Sequence, residues 1–291
     1  LYYTENKMWI HQHKNWPKFT WDDNKISHLL IDTTHKQGLL LGKMSQLGFD
    51  IQVEANAETL ITDIITSSAI EGEQLNVNEV RSSVANKLGL STAGLPNPSK
   101  EADNFLEILL DAILFYDKPL NNKRLFSWHS ASFPTGYSGV QSITVGNWRP
   151  ESAGVMQVVS GAMGNKKIHF EAVKAKTIER QMQEFIEWFN NDKSIHPIVK
   201  SAITHLWFVT IHPFEDGNGR IARVLSYVML AKADNSTMRF YSMSSQLEKE
   251  RKDYYNQLEK QQRGSLDITA WILWFIGCYD RAIDNAGAML A

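Results

Sequence analysis

The segment Ile211-His212-Pro213-Phe214-Glu215-Asp216-Gly217-Asn218-Gly219-Arg220-Ile221-Ala222-Arg223 gathers residue types that together could move a phosphate-containing group. His212 supplies a base whose pKa can lie near neutrality. Asp216 offers a hard oxygen ligand suited to Mg²⁺ bridging phosphate oxygens. Gly217 and Gly219 allow the backbone to turn tightly and to approach a ligand. The N–H groups around Asn218 and Gly219 open the following helix, where free donors and the helix dipole favour an anion. Arg220 and Arg223, three residues apart on the first turn, can both lean toward that anion. A base, a metal carboxylate, an anion cradle and two arginines describe a phosphoryl- or nucleotidyl-transfer site.

Helices must position these groups. From Thr177, a good N-cap, Ile178, Met182, Phe185, Ile186 and Phe189 share one face. Pro197 suits the first turn of the next helix, with Ile198, Ala202, Leu206 and Val209 inward. After Gly219, Ile221, Val224, Leu225, Val228 and Met229 mark a third helix. Leu247, Tyr254, Tyr255 and Leu258 lie on a charged amphipathic helix, and Asp267 caps a last, very apolar one. Near the front, Leu60, Ile64 and Ser68 share a face of a helix that Gly72 should end. Ser91 to Ser99, with small residues and two prolines, reads as a linker. Two strand-like arms, Met156–Ser160 and Lys166–Phe170, flank the glycine-containing turn Gly161–Asn165 and predict a hairpin. The expected fold is all-α with one small β-hairpin, divided into an N-terminal helical region, 1–95, and a core, 96–291.

Composition excludes several function classes. The 291 residues carry a net charge of -2, so no basic excess announces strong nucleic-acid binding. The single cysteine, Cys278, excludes a disulfide within the chain and a cysteine zinc site, and its apolar neighbours predict a buried residue. The N-terminal Leu1 to Lys7 has no apolar signal run, and the longest apolar stretch, Ile268 to Tyr279, is too short to span a bilayer. A cytoplasmic location without membrane association is expected. Gly38-Leu39-Leu40-Leu41-Gly42-Lys43-Met44 approaches a phosphate-binding loop, but it is one residue short between its glycines and has Met44 where a hydroxyl is needed. His11-Gln12-His13 has no further metal ligand nearby.

The segment His212 to Arg223 resembles the Fic motif, His-x-Phe-x-(Asp/Glu)-Gly-Asn-Gly-Arg-x-x-Arg, at every defined position. The resemblance implies a protein adenylyltransferase that moves AMP from ATP, with Mg²⁺, to a Ser, Thr or Tyr hydroxyl of a target protein or of the enzyme itself. In that scheme His212 takes the proton from the hydroxyl and Phe214 anchors the loop. Asp216 holds Mg²⁺ on the α- and β-phosphates. Gly217, Asn218 and Gly219 bind phosphate, and Arg220 and Arg223 hold the β- and γ-phosphates. Trp128-His129 and Gly146-Asn147-Trp148-Arg149 look like the lead-in to such cores. The hairpin, with Val158, Val159, Ile168 and His169, is similar to the flap that pairs with the target backbone. Tyr254 and Tyr255 resemble an adenine-pocket helix. The first stretch, with Trp9 to His13 and Trp16-Pro17, looks like a helical domain of unknown function joined to some Fic cores. Oligomeric state, including a homodimer, is left open.

Ser67-Ser68-Ala69-Ile70-Glu71-Gly72 resembles the inhibitory pattern (Ser/Thr)-x-x-x-Glu-(Gly/Asn) found N-terminal to some Fic cores. A carboxylate at Glu71 can pair with Arg223 and misplace the nucleotide, with Ser67 supporting the helix. Three alternatives remain at this point: a phosphotransferase, an enzyme that removes AMP with Glu71 taking part, and a catalytically silent adaptor. An adaptor would be expected to have lost His212 or an arginine. The intact Gly219 favours AMP over phosphate.

Overall fold

The computed structural model describes residues 8–160 and 167–289. The expected turn at 161–165 and the N-terminal stretch 1–7 lie outside the described residues. Eleven helices order the described chain: α1 Asp23–Ser45, α2 Phe49–Ile70, α3 Val77–Leu88, α4 Lys100–Leu114, α5 Asn122–Ser132, α6 Ile178–Asn191, α7 Pro197–Ile211, α8 Asn218–Asp234, α9 Met243–Lys249, α10 Arg251–Gln262 and α11 Thr269–Met289. Two small antiparallel pairs interrupt them, β1 Tyr137–Ser138 with β2 Gln141–Ser142, and β3 Gln157–Ser160 with β4 Lys167–Glu171. The second pair is the expected hairpin. The first, with two residues per strand, is too short to leave an alternating pattern in the sequence.

The centre is the α7–α8 pair. Every residue of α7 from Ile198 to Ile211 is buried, the polar Lys200, Ser201, Thr204, His205 and Thr210 among them. Its partner α8 presents Ile221, Val224, Leu225 and Val228 to the same core. Around this pair, α4 packs on α8, α11 on both α1 and α7, and α2 on α3, α8 and α9. Helix ends follow side-chain chemistry. Asp22, Asn76 and Asn121 accept backbone N–H groups at the starts of α1, α3 and α5. Thr177 departs from its expected capping role: its hydroxyl donates to the Lys174 carbonyl, because a short 3-10 turn already leads into α6. Gly38 to Met44 lies inside α1, consistent with its rejection as a phosphate loop.

A buried polar cluster fixes α2 against the core. Asp63, fully enclosed, accepts from the Tyr227 hydroxyl of α8 at 2.9 Å and from the Ser242 hydroxyl at 2.5 Å. Arg239 stands 3.7 Å from its second oxygen. The backbone N–H of Arg239 donates to Asn56 of α2 at 2.9 Å. Burial pushes the Asp63 carboxyl up, and the charge of Arg239 opposes it. These bonds set the register of α2, and so decide where its C-terminal residues arrive. No helix among the described residues is long and apolar enough to cross a membrane. Cys278 is buried, as expected.

Candidate active site

Helix α7 ends at a left-handed residue, His212, with φ 53° and ψ 60°. Its backbone N–H closes the helix on the Phe208 carbonyl at 3.0 Å. Its imidazole Nδ1 lies 3.2 Å from the Val209 carbonyl, which can only accept. Nδ1 therefore carries the proton, and Nε2 keeps its lone pair. Burial lowers the imidazole pKa to about 4, against the opposing effects of the Val209 carbonyl, Asp216 and Glu71, so the ring is a neutral base at physiological pH.

The loop after His212 is braced from inside and outside. Phe214 is fully buried and stacks on His129 at 4.1 Å between centroids, with Trp148 at 5.0 Å. The Asn218 side chain spans the loop: Oδ1 accepts from the Phe214 N–H at 3.0 Å, and Nδ2 donates to the Phe214 carbonyl at 2.9 Å. Both amide atoms are thus spent on the loop, and only the backbone N–H of Asn218 faces an incoming anion. His129 accepts the Gly146 N–H at Nδ1 and donates from Nε2 to the Asp216 carbonyl, each at 3.2 Å. Glu215 accepts the Thr144 N–H at 2.6 Å. Gly217 adopts φ 78°, and a Cβ there would lie 2.7 Å from the Phe133 ring. Its N–H donates to Asp216 Oδ1 at 2.6 Å, while Oδ2 accepts from the Ser138 hydroxyl of β1.

The first intrahelical bond of α8 runs from the Ile221 N–H to the Gly217 carbonyl at 3.0 Å, so the N–H groups of Asn218, Gly219 and Arg220 precede the ladder. The carboxylate of Glu71 occupies this end. Glu71 is the C-cap of α2, and its Oε1 lies 2.8 Å from Nη2 of Arg223. A Cβ at Gly219 would overlap that oxygen. Arg223 is 1% exposed. Its Nε donates to the Ser67 hydroxyl at 2.9 Å, and its Nη2 donates to the Ser67 carbonyl at 3.0 Å. Burial, the largest single effect, lowers the Arg223 pKa, but the charge and hydrogen bond of Glu71 together with Tyr254 and Tyr227 outweigh it, and the net direction is up. Gly72, at φ 84°, reverses the chain so that Glu73 returns to the same place and pairs with Arg220. Sequence reasoning missed this second pair. Two guanidinium nitrogens stay buried without partners, Arg220 Nε and Arg223 Nη1. Unpaired buried cationic donors beside a free helix N-terminus are what a phosphate chain would satisfy. One exposed carboxylate, Asp216, fits Mg²⁺ that takes its other oxygens from phosphates and water.

The flap residues Val158, Val159 and Ile168 are exposed, as a docking edge needs, with a register shift between Val158 and Val159. His169 instead faces α10, with Nδ1 2.6 Å from Glu259 and Nε2 2.6 Å from the Ser160 hydroxyl. Lys167 joins Glu259 at 3.5 Å, and Arg263 donates to the Ile168 carbonyl. The two tyrosines of α10 separate. Tyr254 is 2% exposed and bonded to His205 Nε2 at 2.8 Å, so it belongs to the core and not to an open adenine pocket. Tyr255, 40% exposed, donates to the Ile70 carbonyl at 3.2 Å beside Glu71. His11 and His13 contact the Glu171 and Gly264 carbonyls, tying the front of the chain to the flap base and to the loop after α10.

Residues 119–230 match the Fic/DOC family model, and residues 9–90 match a domain of unknown function, DUF4172. The chain is 28% identical over 232 residues to protein adenylyltransferase Fic of Nematostella vectensis, covering 78% of this chain and 48% of that protein. It is 27% identical over 179 residues to protein adenylyltransferase fic-1 of Caenorhabditis elegans, covering 60% and 32%. The chain thus spans about half or less of the curated relatives it matches. In fold it resembles a Fic domain containing signaling protein from Bacteroides thetaiotaomicron VPI-5482, with a TM-score of 0.63 at 20% identity over 87% of this chain and 95% of that one. A Fic family protein from Desulfovibrio desulfuricans G20 gives 0.62 at 20% identity over 90% and 74%.

Proposed function

This chain carries a Fic/DOC family domain behind a DUF4172 domain, and from that premise we propose that it is a protein adenylyltransferase held in check by the C-terminal end of its own α2. The observation that carries this reading is the meeting of Glu71 with Arg223 over the open N-terminus of α8, beside a neutral His212. We place the functional division at residues 95 and 96, between the inhibitory region and the catalytic core.

In the active state, phosphates of ATP replace the two carboxylates. The N–H groups of Asn218, Gly219 and Arg220 and both guanidinium groups hold the triphosphate. Asp216 would hold Mg²⁺, which when bound would supply neutralising charge to the phosphates. A Ser, Thr or Tyr hydroxyl of the target, laid along the flap at Val158, Val159 and Ile168, gives its proton to His212 Nε2. Its oxygen forms a bond to the α-phosphorus as the bond to pyrophosphate breaks. Exchanging Glu71 for a phosphate swaps one anion for another on Arg223, so inhibition is a competition and not a collapse of the site.

The test is intact mass spectrometry of the wild type and a Glu71→Gly variant after incubation with ATP and Mg²⁺. Self-modification in the variant by one adenylyl group, with little in the wild type, is the expected result. Gain of a single phosphate would replace this reading by phosphate transfer, and an unmodified variant that binds ATP would remove it.

A further inference from the structure

Arg149 stands in an irregular segment after α5, yet it is 3% exposed. All its bonds reach the catalytic turn or the flap. Its backbone N–H donates to the Pro213 carbonyl at 2.9 Å. Its Nε donates to the carbonyl of His212 itself at 2.8 Å, and its Nη2 donates to the carbonyl of Val173, two residues past β4. None of these partners is a carboxylate. The charge of Glu215 offsets only part of the cost of enclosing this cation, and a neutral amide could donate to the same carbonyls. What the amide could not supply is charge beside the imidazole.

We propose that Arg149 is the positioning residue for His212 in AMP transfer, fixing with one guanidinium the separation between the flap that receives the target and the ring that receives its proton. The inference rests on the adenylyltransferase reading. Its geometric part follows from the backbone. A left-handed conformation at a residue with a side chain is held only where its surroundings insist on it. Here the carbonyls on both sides of the His212–Pro213 bond are pinned by Arg149. The same guanidinium holds the Val173 carbonyl two residues past β4, so one side chain links the segment that follows the flap to the base. The electrostatic part follows from the groups that face the ring. Asp216, Glu71 and the Val209 carbonyl favour the imidazolium, while burial and Arg149 oppose it. Burial does most to keep the lone pair of Nε2 available, and Arg149 adds to it. Its own pKa, lowered by burial to about 10, leaves it charged at neutral pH.

Two replacements separate geometry from charge. Arg149→Gln removes both parts, whereas Arg149→Lys keeps the charge and loses the two-handed bridge. In the Glu71→Gly background, self-adenylylation with labelled ATP and Mg²⁺ is measured against ATP concentration and pH, with ATP binding followed by calorimetry. Misplacing the base should lower the saturating rate of Arg149→Gln about 10²-fold, with KM for ATP unchanged. Its acid limb should move to higher pH, because without the cation His212 protonates more readily. Arg149→Lys should lose rate but keep the limb of its parent. A merely structural arginine would lower thermal stability without moving the limb, and that outcome overturns the proposal. A second measurement does not depend on activity: the imidazole resonances of His212, assigned with a His212→Ala control, are titrated without nucleotide. Arg149→Gln should raise the pKa and blur the single Nδ1–H tautomer. If the Glu71→Gly parent adenylylates nothing, the adenylyltransferase reading falls, and an unchanged tautomer and pKa in Arg149→Gln would separately remove the role of Arg149.

Discussion

The two sides of the catalytic loop are built in opposite ways. On the base side, His212, His129, Asn218 and Arg149 spend their polar atoms on backbone partners, and the imidazole is already a neutral Nδ1–H tautomer. On the anion side, Arg220 and Arg223 hold carboxylates from beyond the loop, and each keeps a buried nitrogen unpaired. The difference teaches where control resides. On the proposed reading, chemistry is assembled in advance, and regulation acts through the groups that would hold the triphosphate. Rebuilding a base would demand reorganisation at the moment of reaction. Exchanging one anion for another demands only competition.

Four experiments break or sharpen this contrast. The largest effect belongs to the base. His212→Ala in the Glu71→Gly background should lower transfer by about 10²–10⁴-fold while calorimetry still detects ATP binding. Loss of nucleotide affinity in the same variant would show that the two sides are not separable. Next comes the brake itself. Glu71→Gly removes a charge-assisted partner of Arg223, so self-modification should rise about 10–10²-fold. Adding Arg223→Ala should silence it again, because the freed arginine is needed for the triphosphate. A smaller rise, about two- to five-fold, is expected of Glu73→Ala, because Glu73 is 51% exposed and an exposed pair is weak. An effect of Glu73→Ala equal to that of Glu71→Gly would make the first arginine the principal target of inhibition. The smallest effect is that of pH. With the His212 pKa lowered to about 4, the neutral form persists well below pH 6, and it is lost only as pH falls through that value. The rate of the Glu71→Gly variant should stay nearly level from pH 8 to about pH 5.5. A limb near the ordinary histidine value would mean that the base is more open to water than its surroundings suggest.

Legibility in the sequence followed the local character of each feature. The motif from His212 to Arg223 needs one turn between two helices, so its order in the chain is its order in space. Glu71 was readable because Ser67 to Gly72 resembles an inhibitory pattern beside an intact motif, and in the structure Ser67 and Glu71 both meet Arg223. Glu73 was not, since its return depends on the left-handed Gly72 between them. Arg149 and His129 escaped as functional residues for another reason. Each acts through backbone atoms distant in sequence, and neither belongs to a periodic pattern that marks its bonding. Tyr254 and Tyr255 mark a further limit. Adjacent residues on a helix point about 100° apart, so one ring enters the core and bonds to His205 while the other reaches the surface near Glu71. Composition alone could not assign them.

Gly219 carries a consequence for inheritance. The Glu71 carboxylate lies where a side chain at 219 would begin, and Arg223 Nη1 is 3.4 Å from the same point. On the proposed reading, a replacement there evicts the brake, yet it also fills the space over which the phosphates would pass. A substitution at 219 is therefore expected to abolish transfer in place of releasing it. On the same reading, release of transfer is expected of changes at Ser67, Glu71 or Glu73, outside the segment from His212 to Arg223. Control proposed to sit at one helix end can thus be retuned while the sequence from His212 to Arg223 stays unchanged.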